Sequence, residues 1–362
     1  MSRLRAPVLL LLAACPIAQS SCERGPAPED DTRDTGPGSL PTVDRALLAP
    51  PEGWYAASYH TVEPGRGLTW ERDTSFQIRN FTVPSIFVRP DGTFVMLATS
   101  MLAPARGRWY LTSPDGLRWT PADGPIFAPD DFPLDCGNRL EDGFLLPTRD
   151  DGYRLVLEAS LLDEVTDQTK WRRWCQATSA DAVGFEPLGT YLYEGSPNDG
   201  GLAAVPSPIP LNDWSTLVYY VGDLYSAASA EGDGIRIARV ADGADHAEPW
   251  ARTNVLAQHL VDPMPVYLEG GGVRLYMTMS SHEPGIGASP GYAETDDGTT
   301  FTEPVRFLAT DGPCADGVSG ECLLDPVYLR LPDGRMVLYF TRLVSEPGEL
   351  TTPTIGRAFA TD

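Results

Sequence analysis

Apolar residues in this chain come in short alternating or continuous runs, rich in Val, Leu, Tyr and Met and broken by Asp-Gly or Gly-Gly pairs. That pattern predicts β-strands joined by tight turns, and helical periodicity is nearly absent. One unit recurs: a short apolar strand, a tight turn, then a second apolar strand. It starts at Val83, Glu141, Val205, Val261 and Leu324. Aligned on the proline or its equivalent, the leading positions are Val83, Asp142, Val205, Asp262 and Asp325, spaced 59, 63, 57 and 63 residues apart. Five units of about 60 residues account for the whole domain.

A second pattern follows the hairpins. Asp115, Asp181 and Asp297 each sit in a turn with an aromatic residue four positions later, at Trp119, Phe185 and Phe301. The third unit is degenerate, with His246 at the aromatic position after Asp242-Gly243. In the last unit the chain reaches Ala360-Thr361-Asp362 just where the turn should begin. The missing half is found near the other end, where Gly67-Leu68-Thr69-Trp70 matches Gly116-Leu117-Arg118-Trp119. The prediction is an all-β chain: a five-bladed β-propeller closed by the N-terminal strand, over residues 53–362. A β-sandwich is the alternative, but it leaves five evenly spaced copies and the split motif unexplained.

Composition narrows the setting. Acidic residues outnumber basic ones 50 to 27, for a net charge of −23, so a polyanion such as nucleic acid meets repulsion and is excluded as a partner. The first residues carry Arg3 and Arg5, followed by an apolar run too short to span a bilayer, the pattern of a secretory signal over residues 1–22. Leu12-Ala13-Ala14-Cys15 resembles a bacterial lipobox, which makes Cys15 the lipid acceptor and a lipid anchor the only membrane contact. An ordinary cleaved signal is the other reading, and Cys22 is a weaker acceptor. Either route exports the protein, to the bacterial cell envelope or beyond it. Residues 23–52, rich in Pro, Gly and Asp, read as a disordered acidic tether. In that oxidising setting Cys136, Cys175, Cys314 and Cys322 predict two disulfides, 136–175 and 314–322. No metal-ligand spacing and no phosphate-binding glycine loop is present, so neither a metal nor a cofactor is called for.

Asp-Pro at the start of an innermost strand, together with Ser-x-Asp-x-x-x-Trp on an outer turn, resembles the five-bladed propeller glycoside hydrolases: arabinanases, xylosidases and invertases. The resemblance implies a carbohydrate partner and strand-leading carboxylates that point into an axial funnel. Glycosidic cleavage needs one carboxyl protonated and one ionised across the bond, a split that crowding of like charges in a partly dry pocket produces. Asp142, Asp262 and Asp325 are the catalytic candidates. The family's base belongs in the first blade, where this chain has Val83, and Val205 leads the third. No Glu occupies a leading position, so Glu141 or Glu158 is the substitute acid, and Glu321 lies out of register.

Each candidate has a plainer reading. Asp-Pro at a strand start is also ordinary turn chemistry, and Asp115, Asp181 and Asp297 are read as structural turn residues. Asp223 and Arg342 end second strands and reach the rim, or are solvated ends; His259 orients Asp262 or lines the funnel. Lys170-Trp171-Arg172-Arg173-Trp174 is either a stacking platform or a strand with alternating faces. Two functions remain open: a hydrolase acting on a neutral carbohydrate through its funnel carboxylates, or a non-catalytic surface propeller that binds carbohydrate or protein. Oligomeric state is not legible.

Overall fold

A computed structural model describes residues 40–100, 107–163, 168–195, 202–222, 234–250, 254–256, 259–280, 287–310, 319–346, 349–350 and 353–362. The signal, Cys15, Cys22, Asp223 and Cys314 lie outside the described residues.

The strands assemble into five antiparallel sheets, the blades of a propeller. From the axis outward, blade one is Phe81–Val88, Phe94–Ser100, Arg108–Ser113 and Thr120–Phe127. Blade two is Arg139–Pro147, Tyr153–Asp163, Gln168–Ser179 and Glu186–Pro187. Blade three is Ala204–Pro210, Thr216–Gly222, Gly234–Val240 and Glu248–Pro249. Blade four is Leu260–Leu268, Val273–Met279, Ser289–Thr295 and Val305–Arg306. Blade five begins with Gly320–Arg330, Met336–Glu346 and Thr354–Ala360. Its outer strand comes from the N-terminal segment: Trp70–Arg72 pairs antiparallel with Thr354–Ala360, Trp70 facing Ala360.

The repeated turn is the staple between blades. In each copy the aspartate Oδ1 accepts two backbone N–H bonds, from Leu117 and Arg118, from Val183 and Gly184, and from Thr299 and Thr300. That fixed turn aims its aromatic residue at the preceding blade. Trp119 packs edge-on against Tyr339, Phe185 against Tyr110 and Phe127, and Phe301 against Tyr219. The tyrosine hydroxyls answer: Tyr219 donates to the Gly298 carbonyl (2.9 Å) and Tyr339 to that of Gly116. These three aspartates are structural, as the turn pattern predicts.

Every inner strand carries a bulge near its start, between Thr82 and Ser85, Leu140 and Gly143, Ala204 and Ser207, Val261 and Met264, and Leu324 and Val327. In four blades the first bulged residue lies in the left-handed region, with φ of 50° at Val83, 50° at Val205, 54° at Asp262 and 51° at Asp325. A non-glycine residue there costs about 1–3 kcal/mol and persists only where its surroundings hold it. The register also corrects the alignment made on sequence: in blade two Glu141 takes the leading place, while Asp142 takes the place that proline fills in the other four. With no proline in blade two, sequence alignment had no marker for that one-residue offset.

The tether is shorter than its composition predicts. From residue 40 onward the chain packs, with Val43 and Leu48 buried against Leu217 and Tyr267. The few apolar residues of this stretch reach a core made elsewhere, which a composition window cannot register. Trp54 to His60 then lies across the axis where the inner strands end, and Thr61–Val62 adds a parallel strand beside Leu260–Leu268.

The Cys136–Cys175 disulfide is present, joining the loop before blade two to its third strand. Cys322 is also disulfide-bonded; its expected partner Cys314 lies outside the described residues.

Candidate active site at the propeller hub

At the bulges the leading side chains of blades three, four and five, Val205, Asp262 and Asp325, line one narrow space together with Asp142, the second bulged residue of blade two, and with Met264 and Val327. Asp142 is buried, whereas Asp262 and Asp325 keep partial exposure to a lumen too confined to solvate them as bulk water does. The space measures about 10 Å³, the threshold for one water molecule.

Asp262 and Asp325 meet at the axis, where the Asp325 N–H donates to Asp262 Oδ2 at 3.4 Å. Enclosure raises both carboxyls above the ordinary range, and for Asp325 the neighbouring Asp262 charge adds to it. Asp142 is raised well above that range too, by burial first and by Asp325 second, against the pull of Arg108.

A hydrogen-bond chain runs from this pair into the neighbouring blades. Thr278 Oγ1 accepts the Asp325 N–H (3.1 Å). Thr341 does the same one blade on, its Oγ1 accepting the Val83 N–H (2.8 Å). These bonds hold the strained leading residues in place. Glu158 plays the corresponding part between blades two and three, accepting the Val205 N–H at 2.5 Å while paired with Arg172 at 3.0 Å. Glu158 is fully buried and held above its ordinary range by that burial, so the structure places it behind the lumen wall.

The remaining candidates spread around the same end. The Glu141 side chain, 28% exposed, lies 3.8 Å from Arg139 and 3.9 Å from Arg172. Arg342 bonds Glu321 through Nε (2.5 Å), and Arg72 grips the same carboxylate with two bonds of 2.6 and 2.8 Å. Burial alone would raise Glu321, but the two guanidiniums hold it below its ordinary range. His259 sits just before the blade-four inner strand, where its carbonyl accepts the Ser280 N–H at 2.8 Å. In the Lys170–Trp174 run, Arg173 lies between Trp171 and Tyr191, its guanidinium 4.7 and 4.9 Å from the ring centres, and Trp174 is buried. This is the alternating strand, with Trp171 already covered by Arg173.

Two groups at the hub were not picked out on sequence. The threonines had a signal, since Thr99, Thr278 and Thr341 each fall sixteen residues after the leading residue of their blade. Arg108, wholly buried at the start of a third strand, had none.

No protein-family model matches the chain, and no curated protein matches it. Solved structures do. It is similar to a thermostable family-43 glycoside hydrolase at a TM-score of 0.56 and 15% identity, over 79% of this chain and 94% of that one. A glycosyl hydrolase from Bacteroides ovatus gives 0.54 and 14%, over 86% and 93%. An endo-1,4-beta-xylanase from Bacteroides thetaiotaomicron gives 0.54 and 15%, over 79% and 91%. At such identities the likeness shows the fold: this is a five-bladed β-propeller of the kind found in glycoside hydrolases. Activity does not follow from fold.

Proposed function

We propose that this protein is an exported, lipid-anchored propeller of the glycoside hydrolase type that engages a neutral carbohydrate at the aspartate end of its axis and binds it without hydrolysis. One observation carries the distinction. Asp262 and Asp325 stand in contact, the Asp325 N–H donating to Asp262 Oδ2 at 3.4 Å. Glycosidases hold their two carboxyls about 5–9.5 Å apart so that a glycosidic bond, and in some a water, fits between them. The space enclosed beside the pair, about 10 Å³, is the size of one water molecule. Val83 and Val205, which cannot transfer protons, lead two of the five inner strands. The partly exposed Glu141 and Arg342 supply hydrogen-bonding groups for sugar hydroxyls around the mouth. Export and the anchor at Cys15 rest on the charged and apolar start of the chain.

Hydrolysis is the second reading, favoured by three carboxyls held above their ordinary range. One experiment separates the two. The purified domain is screened against a glycan array and a panel of aryl glycosides, alongside Asp262→Asn and Asp325→Asn. Sugar binding without turnover supports the first reading. Turnover that disappears in both variants overturns it in favour of the second, and absence of any glycan binding overturns both.

A further inference from the structure

Glu321 is an acid that neither reading uses. It stands near the start of the blade-five inner strand, out of register with the leading residues and one position before the disulfide-bonded Cys322. Two guanidiniums hold it. Arg72 donates from Nη1 to Oε2 (2.6 Å) and from Nη2 to Oε1 (2.8 Å), and Arg342 donates from Nε to Oε1 (2.5 Å). The three side chains come from three strands of one blade: Glu321 from the inner, Arg342 from the second and Arg72 from the outer one that the N-terminal segment contributes. Glu321 is the most enclosed of them, its side chain 18% exposed against 27% for Arg72 and 37% for Arg342.

Arg342 has donors left over. Its Nη1 and Nη2 make no hydrogen bond among the described residues. The residue pairs with Leu323, two positions before Asp325, and its neighbour Thr341 accepts the Val83 N–H, so it belongs to the aspartate end of the axis. A free arginine spreads over many rotamers and loses that freedom on binding, whereas one fixed through Nε presents its Nη edge in a set plane. Such an edge takes two acceptor oxygens at once.

We propose that Glu321 is a positioning residue of the binding mouth: it fixes Arg342 so that the Nη edge meets two neighbouring hydroxyl oxygens of a sugar, and Arg72 in turn fixes Glu321. Because Arg72 lies on the strand that completes blade five, the order of the mouth then depends on closure of the ring. The inference rests on the sugar reading of this mouth and adds the ligand feature that blade five takes, an adjacent pair of hydroxyls. A salt bridge on the rim with no such role would add little to stability and nothing to binding.

The test reads affinity and stability side by side on the intact chain. The parent and its Glu321→Gln, Arg342→Gln, Arg72→Gln and Arg72→Lys variants are applied to the glycan array. The tightest-binding array glycan is then titrated against each by calorimetry, with urea midpoints recorded alongside. Gln at position 321 keeps the shape but turns N–H donors toward a guanidinium, so the hold on Arg342 is lost. Glu321→Gln and Arg72→Gln are expected to weaken binding by roughly two- to tenfold, the net worth of one hydrogen bond, with Arg72→Lys in between. Arg72→Lys carries the same test where a bolder variant does not fold. Adding Glu321→Gln to Arg342→Gln weakens binding no further, because Glu321 acts through Arg342; a purely structural role would lower the urea midpoint and leave affinity alone. Parent-level affinity in Glu321→Gln and Arg72→Lys, or losses that add in the double variant, overturns the proposal and leaves the sugar reading standing. A parent that binds no array glycan overturns that reading, and the proposal with it.

Discussion

Asp362 Oδ2 accepts the backbone N–H of Leu68 at 2.9 Å, across 294 residues of chain, and Oδ1 accepts that of Gly67 at 3.0 Å. In blade one Asp115 does this for Leu117 and Arg118 within a single continuous turn. Blade five therefore rebuilds the same staple from two separate pieces of chain. Trp70 completes it, packing edge-on against Tyr276 as Trp119 packs against Tyr339.

Asp362→Ala removes the acceptor for both N–H groups and is expected to destabilise the fold by about 1.5–3 kcal/mol, the range for hydrogen bonds to a charged group. Urea unfolding measures it. A midpoint unchanged from the parent would show that the two pieces hold together without this cap.

Trp70 is buried between Tyr276, Tyr328 and Phe307. Trp70→Ala should cost about 3–5 kcal/mol by leaving a cavity at the junction of blades four and five. Because the strand that carries Trp70 is the one joining the two ends of the chain, proteolysis should also cut between residues 62 and 70 faster in this variant. Equal cleavage rates would argue against the strand's role.

His60 stacks on Trp54 at a centroid distance of 5.9 Å, and burial lowers it from 6.5 to about 4. A histidine lowered on folding binds its proton more tightly in the unfolded chain. Its contribution is therefore complete above pH 6.5 and is lost as pH falls toward 4, by roughly 3 kcal/mol. His60→Phe keeps the stack and removes this slope. The hub aspartates, common to both proteins, cancel in the difference. Parallel stability curves between pH 7 and 4.5 would refute the assignment.

Asp262 and Asp325 act with the opposite sign. Their folded-state values are raised, so the stability of the pair is full at low pH and is lost as pH rises through those values. Asn in place of Asp325 keeps the shape of the side chain and removes the group whose charge the enclosure disfavours. Asp325→Asn should therefore flatten the alkaline limb of the stability curve and cost under about 1 kcal/mol at low pH, whereas Asp325→Ala should cost more at every pH. Thermal melts across pH decide it; an unchanged alkaline limb in Asp325→Asn would count against a raised Asp325 carboxyl.

The Cys136–Cys175 bridge closes a loop with a sequence separation of 39. Replacing both cysteines by alanine should cost about 2–4 kcal/mol. Calorimetry of the variant, next to the parent with and without reductant, checks the value, and the Cys322 bridge accounts for any further loss on reduction.

The repeat, the number of blades, the Asp-turn staples and the 136–175 bridge were legible in the sequence because each is a local pattern: a strand period, a turn residue at a set offset, a cysteine beside a hairpin. Local patterns repeat when the unit they build repeats. Two expectations failed for a related reason. The tether was set to end near residue 52, yet Val43 and Leu48 bury against blades three and four, a surface that exists only once the propeller has formed. Asp142 was aligned with Asp262 and Asp325, although the bulge register puts Glu141 there.

By itself the sequence determined that acids separated by some 60 to 180 residues would meet at one axis, since five equal units can bury their edges only by closing around one. Only the tertiary structure decided how they meet. Asp262 touches Asp325, Glu158 turns back to clasp Val205, and Arg108 waits beside Gly143, because these distances are set by the rotation between blades and by bulges whose strain neighbouring blades restrain. Neither quantity is written in any single repeat.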